Sequence, residues 1–108
     1  MNDKSIKSSL LELKGMLKNF FGPEVELYLF GSVARKDYRP DSDIDILVLM
    51  PGLVDTDVKE RVIDLSYEIE LKHDVVFGIV VRSKEFWQSP MAAVMPFHQT
   101  LQNEGLRI

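Results

Sequence analysis

Leu29-Phe30-Gly31-Ser32-Val33-Ala34-Arg35, followed after a polar loop by Asp41-Ser42-Asp43-Ile44-Asp45-Ile46-Leu47-Val48, decides how the chain is organised. The first part ends a strand. Val25, Leu27 and Leu29 alternate with Glu26, Tyr28 and Phe30, so one face is wholly apolar and the other mixed, as in a half-buried strand. Gly31-Ser32 breaks the alternation, and Val33 to Tyr38 reads as a short helix. Arg39-Pro40-Asp41-Ser42 is a loop by composition, rich in residues that favour turns. Ile44 to Met50 is almost continuously apolar, the pattern of a central strand covered on both faces.

Outward from this centre, helical and strand patterns alternate. Ile6, Leu10, Leu13, Leu17 and Phe20 recur at three- and four-residue steps, predicting an amphipathic helix. It begins near Asp3 or Ser5 and stops at Gly22-Pro23, where proline cannot extend the hydrogen-bond ladder. Thr56 to Lys72 predicts a second long helix with Val58, Val62, Leu65 and Ile69 on one face. Asp74 to Val81 reads as a third strand and Ser83 to Gln88 as a short helix. Pro90 to Glu104 is helical in part, with Pro96 at a start or a kink, and Leu106-Arg107-Ile108 is a short final strand. There is no repeat, low-complexity tract or linker, so a single mixed α/β domain spanning residues 1–108 is expected.

Composition narrows the partners. The 108 residues are 45% apolar and 28% charged, with a net charge of −4, ordinary for one globular core. No basic stripe is present to grip a nucleic-acid backbone, so the charge disfavours long DNA or RNA as a partner. The absence of cysteine excludes disulfides and thiolate metal sites. Charged residues interrupt the first helix, leaving no signal-peptide core. The longest apolar run, Ile46 to Met50, is too short to cross a bilayer. A cytoplasmic protein with no membrane partner is the expectation.

The chemistry gathers around the quoted stretch. Asp43 and Asp45 stand two apart at a strand start, and the strand period of two projects both from one face. Two carboxylates held that close repel and call for a cation. Oxygen-only ligands select a hard ion such as Mg²⁺, which also takes phosphate oxygens from a substrate. Gly31 permits a sharp turn after its strand, and Ser32 offers a hydroxyl and an amide near the start of a helix, where anions are attracted. Arg35, one turn on, adds a guanidinium. Together these describe a site for a metal-bound triphosphate. A calcium loop starting at Asp41 fails, because its sixth and twelfth positions hold Ile46 and Gly52 rather than glycine and glutamate. No glycine-rich run ends in Lys-Ser or Lys-Thr, so a Walker-type loop is absent too. His73 and His98 have no partner at ligand spacing, Phe86, Trp87 and Phe97 read as packing aromatics, and Glu68 and Glu70 as helix surface.

The Gly-Ser-x-Ala-Arg pattern at Gly31–Arg35, followed by Ser-Asp-x-Asp at Ser42–Asp45, resembles the nucleotidyltransferase domains of the DNA polymerase beta superfamily, and within it the bacterial minimal nucleotidyltransferases. The segment Pro96 to Gly105 is similar to the closing segment of those small proteins, so the resemblance covers most of the chain. It implies a single-domain α/β (α+β) nucleotidyltransferase fold, a small mixed β-sheet flanked by helices. It also implies a two-ion Mg²⁺ site and ATP as substrate, with AMP passed to an acceptor hydroxyl. Asp43 and Asp45 would hold both ions, and Asp74, on a neighbouring strand, would be the third metal ligand and catalytic carboxylate. Gly31, Ser32, Arg35, Lys36 and Ser42 would bind the nucleotide and its phosphates. Lys36 departs from the family, which commonly has glycine there. Relatives commonly pair with a helical HEPN-type toxin and act as its antitoxin, so such a partner is expected; a homodimer is left open. Two other functions fit less of the pattern: a catalytically silent module that blocks a partner sterically, and an aminoglycoside-type small-molecule nucleotidyltransferase, whose extra drug-binding domain has no counterpart here.

Overall fold

The computed structural model describes all 108 residues. Asn2 opens the first helix, α1 (Asp3–Phe21): its side chain accepts from the Ser5 amide while the Ser5 hydroxyl accepts from the Asn2 amide. This reciprocal cap satisfies two N–H groups the helix cannot. Within the helix Ser9 is fully buried, donating its hydroxyl to the Ile6 carbonyl. Gly22, at φ 107°, ends the helix as expected.

Strands β1 (Glu26–Phe30), β2 (Ile44–Met50), β3 (Phe77–Ser83) and β4 (Leu106–Arg107) form one sheet in the order β3-β2-β1-β4. β1 runs antiparallel to β2 and β4, while β2 and β3 are parallel. The sheet is therefore mixed, and β2 is interior, as its apolar run demands. Helix α3 (Thr56–His73) makes the crossover between the parallel pair.

Alternation along the strands sorts the two faces. Leu27, Leu29, Ile44, Ile46, Val48 and Met50 pack under α1 and α3 with Leu13, Leu17, Val62 and Ile69, all buried. The opposite face carries Leu47 and Leu49, covered by Leu101 of α6 (Pro96–Glu104) and by Phe97 and Trp87. Trp87 belongs to α4 (Lys84–Trp87), and α5 (Pro90–Ala93) links it to α6. Burying both faces of β2 is what holds its polar N-terminal end in a fixed place.

Three expectations are corrected. Phe20 does not join the core face; it is 52% exposed and lies under the Arg61 guanidinium, 5.2 Å from its ring centre. The short helix after β1, α2, covers Gly31–Arg35 rather than starting at Val33. The third strand begins at Phe77, not Asp74. Asp74 is the left-handed cap that closes α3 (φ 53°), its amide donating to the Glu70 carbonyl.

Candidate functional site

The site is set by register. Asp45 lies opposite Phe30 on β1 and Gly78 on β3, so its side chain projects on the α6 face between the first residue of α2 and a glycine. A methyl group on Gly31 would lie 2.2 Å from Asp45 Oδ2, and one on Gly78 would lie 2.8 Å from Oδ1. The carboxylate occupies a slot that two missing side chains create. Gly31 also needs its glycine for the backbone, which turns at φ 75°.

Asp45 is half-buried, whereas Asp43, one residue outside β2, is exposed. Burial raises the Asp45 pKa above the ordinary carboxylate value, and the charge of Asp43 adds to the rise; Arg35 opposes it and Glu104 reinforces it. The two aspartates thus interact electrostatically, as their spacing requires.

Arg35, at the end of α2, donates from Nη1 to both carboxylate oxygens of Glu104, at 3.3 and 3.1 Å, and from Nε to Asp37 at 3.3 Å. Glu104 Oε1 also accepts from the Gly31 amide at 3.2 Å. The Ser32 carbonyl accepts from Asp37, shaping the loop that follows. Lys36 sits in the left-handed region at φ 64°, the conformation that makes glycine the commoner residue there. Its side chain lines a cavity of about 550 Å³ between α1, α2 and β4, with Ile6, Leu29 and Tyr38. That cavity does not include Asp43 or Asp45. Ser42 serves its own loop: Oγ accepts from the Arg39 amide at 2.9 Å.

Asp74 lies just outside the sheet. It precedes β3 by three residues, at the same end of the sheet, and the β3 residue level with Asp45 is Gly78. No three Asp, Glu or His side chains cluster so as to hold a metal ion. Glu70 has structural work, accepting from the Phe77 amide at 3.1 Å where β3 begins. His73 meets Glu12 of α1 at 2.7 Å, and His98 stacks on Trp87, consistent with their reading as bystanders.

Two residues of the site escaped the sequence reading. Gly78 carries no local signal, because its significance is the register with Asp45. Glu104 lies 73 residues from Gly31, and only the fold reveals the contact. The donors facing the slot are all oxygens, which suits Mg²⁺, an ion held through one or two carboxylates with substrate phosphates completing its shell. Asp45 on β2 and Asp43 just before it offer only oxygen donors of that kind.

Comparison with known proteins bears on the family and the fold. The family model described as a nucleotidyltransferase domain matches residues 10–95. A Methanocaldococcus jannaschii protein assigned as a protein adenylyltransferase is 38% identical over 103 residues, covering 95% of this chain and 93% of its own. A second protein of that organism with the same assignment is 34% identical over 80 residues, 74% of each chain. Among solved structures, a toxin–antitoxin complex with AMP-PNP superposes at a TM-score of 0.61 with 20% identity, covering 94% of this chain and 70% of that one. A chain of a MntA–HpeT toxin–antitoxin complex gives 0.57 with 20% identity, covering 100% and 72%. These two establish likeness of fold. With the Gly31-Ser32 turn and the Asp43/Asp45 pair at adjoining strand ends, and a family match over most of its length, the chain belongs to the nucleotidyltransferase domain family.

Proposed function

We propose that the protein is a Mg²⁺-dependent adenylyltransferase that moves AMP from ATP to a hydroxyl on a partner protein. The observation that carries this reading is the Asp45 carboxylate held between Gly31 and Gly78, beside Asp43 and within reach of the Arg35 charge. The likeness to assigned protein adenylyltransferases supports protein as acceptor. The fold's likeness to toxin–antitoxin structures supports a toxin as that partner, with this chain as its antitoxin; the HEPN type is what the family resemblance implies.

Asp43 and Asp45 would hold the metal, which when bound neutralises the triphosphate and acts as a Lewis acid on the phosphoryl oxygens. The chain's own groups position and stabilise. Ser32 and the Gly31 amide face the phosphates at the start of α2, and Arg35 bears charge that develops on the departing pyrophosphate. The acceptor oxygen bonds to the α-phosphorus as the bond to the bridging oxygen breaks, and its proton passes to Asp74, the carboxylate to which the family resemblance gives that role. The slot is open at the sheet end, with Asp43 exposed, so a tyrosine or serine on a partner surface can approach.

The test is transfer itself. ATP labelled at the α-phosphate is incubated with Mg²⁺, the protein and a HEPN-type acceptor, and the acceptor is checked for a mass increase of one AMP unit. Label should appear with wild type and vanish with D43N/D45N. D74N should lose activity as the double variant does if Asp74 is the third metal ligand; retained activity would leave Asp43 and Asp45 as the whole ligand set. Neutralisation of the partner without any transfer would favour the steric blocking module.

A further inference from the structure

Arg35 and the Gly31 amide, the two donors best placed for a phosphate, are both engaged by one carboxylate. Glu104 Oε1 takes the Gly31 N–H at 3.2 Å, and both its oxygens take Arg35 Nη1, at 3.3 and 3.1 Å. The Glu104 side chain is 21% exposed and stands close enough to Asp45 to oppose its ionisation. A third negative charge beside the aspartate pair is repelled by them and is held there by donors suited to an anion. The backbone around it is pinned. The Gly105 amide donates to the Leu101 carbonyl at 2.8 Å, and Leu106 and Arg107 pair with β1. Only a rotation of the Glu104 side chain is needed to free both donors, a fast motion.

We propose that Glu104 is a placeholder for a nucleotide phosphate: it holds Arg35 and the Gly31 amide in the ligand-free protein, and the nucleotide binds by displacing it. Residue 104 therefore sets nucleotide affinity without touching the metal. This rests on the reading of the slot as a nucleotide site. A purely structural staple between α6 and α2 is the rival explanation, and it predicts no gain in affinity when the charge is removed.

The experiment is calorimetric titration of Mg²⁺·AMP-PNP into wild type, Glu104→Gln, Glu104→Asp and Asp37→Asn. Glu104→Gln keeps the shape but loses the charge, and should bind roughly tenfold tighter, the scale of one charge-assisted contact removed from the competition. Glu104→Asp keeps the charge but loses reach; it should fall between wild type and Gln, and serves if Gln folds poorly. Asp37→Asn removes an equal charge from Arg35 at an exposed position, and should stay within about twofold of wild type. Equal or weaker binding by both Glu104 variants overturns the placeholder, as does equal tightening by Asp37→Asn. Wild-type binding with no change in the Glu104 variants removes this inference alone. Absence of binding in every protein removes the nucleotide site and the placeholder with it, whereas binding gained only in Glu104→Gln supports both.

Discussion

Gly78→Ala tests the slot from the side that carries no charge. The added methyl would lie 2.8 Å from Asp45 Oδ1, where ordinary contact begins at 3.4 Å, so the carboxylate must move by about 0.6 Å. It has little room to do so, because its other oxygen rests against Gly31, where a methyl would come within 2.2 Å. Crowding of this size costs about 1–2 kcal/mol of stability, a drop in Tm of roughly 4–12 °C for a domain of this length. Function should suffer more. Sites need their ligating groups within about 0.5 Å of the productive position, and a 1 Å error costs about a hundredfold in rate. A loss of roughly tenfold or more in Mg²⁺-dependent AMP-PNP affinity and in adenylyl transfer is expected, measured by calorimetry and label incorporation on protein that circular dichroism shows to be folded. Gly52→Ala, with no atom within 4 Å of the added methyl, is the control and should bind as wild type. Undiminished metal-dependent binding by folded Gly78→Ala would refute the reasoning that Asp45 acts from a fixed slot.

Asp45→Asn should abolish transfer yet leave the metal-free protein as stable as wild type or a few degrees more so in thermal melts, because burial and Asp43 both disfavour the native charge. Lys36→Gly should stabilise by about 0.5–1 kcal/mol in urea titrations, since it relieves a left-handed non-glycine residue at φ 64°. Glu26 has a lowered pKa, through its contact with Lys84 first and the Tyr28 hydroxyl second. A depressed carboxylate stabilises the fold above its unfolded pKa and loses that contribution as pH falls through the lower folded value. Glu26→Gln should therefore lower Tm near neutrality, and the gap to wild type should close as pH drops below the ordinary glutamate range.

What the sequence made legible, and what it hid, follows from the range of the forces involved. The continuous apolar run at Ile44–Met50 could only be an interior strand, and the structure places β2 between β1 and β3. The apolar steps of α1 and α3 were equally plain, because one helical face must be buried. The Gly31-Ser32 turn and the Asp43/Asp45 pair are local patterns, and the fold brings them to one end of the sheet. Asp74 misled because Val75-Val76 has strand-like β-branching, whereas the chain there is still turning out of α3 through a left-handed residue. Nothing local distinguishes a strand start from a left-handed helix cap when an aspartate precedes two valines. Phe20 fitted the apolar period yet fell at the frayed edge of the buried face, where Arg61 covers it instead. Gly78 and Glu104 were illegible for a different reason: their meaning lies in register and in a contact spanning the chain.

The most direct test of the central claim is the calorimetric binding of AMP-PNP with and without Mg²⁺, by wild type and by D43N/D45N. Binding by wild type that requires Mg²⁺ and disappears in the double variant is the predicted result. Binding that persists without the metal, or unchanged in D43N/D45N, would contradict the assignment of these two aspartates as the metal-nucleotide site.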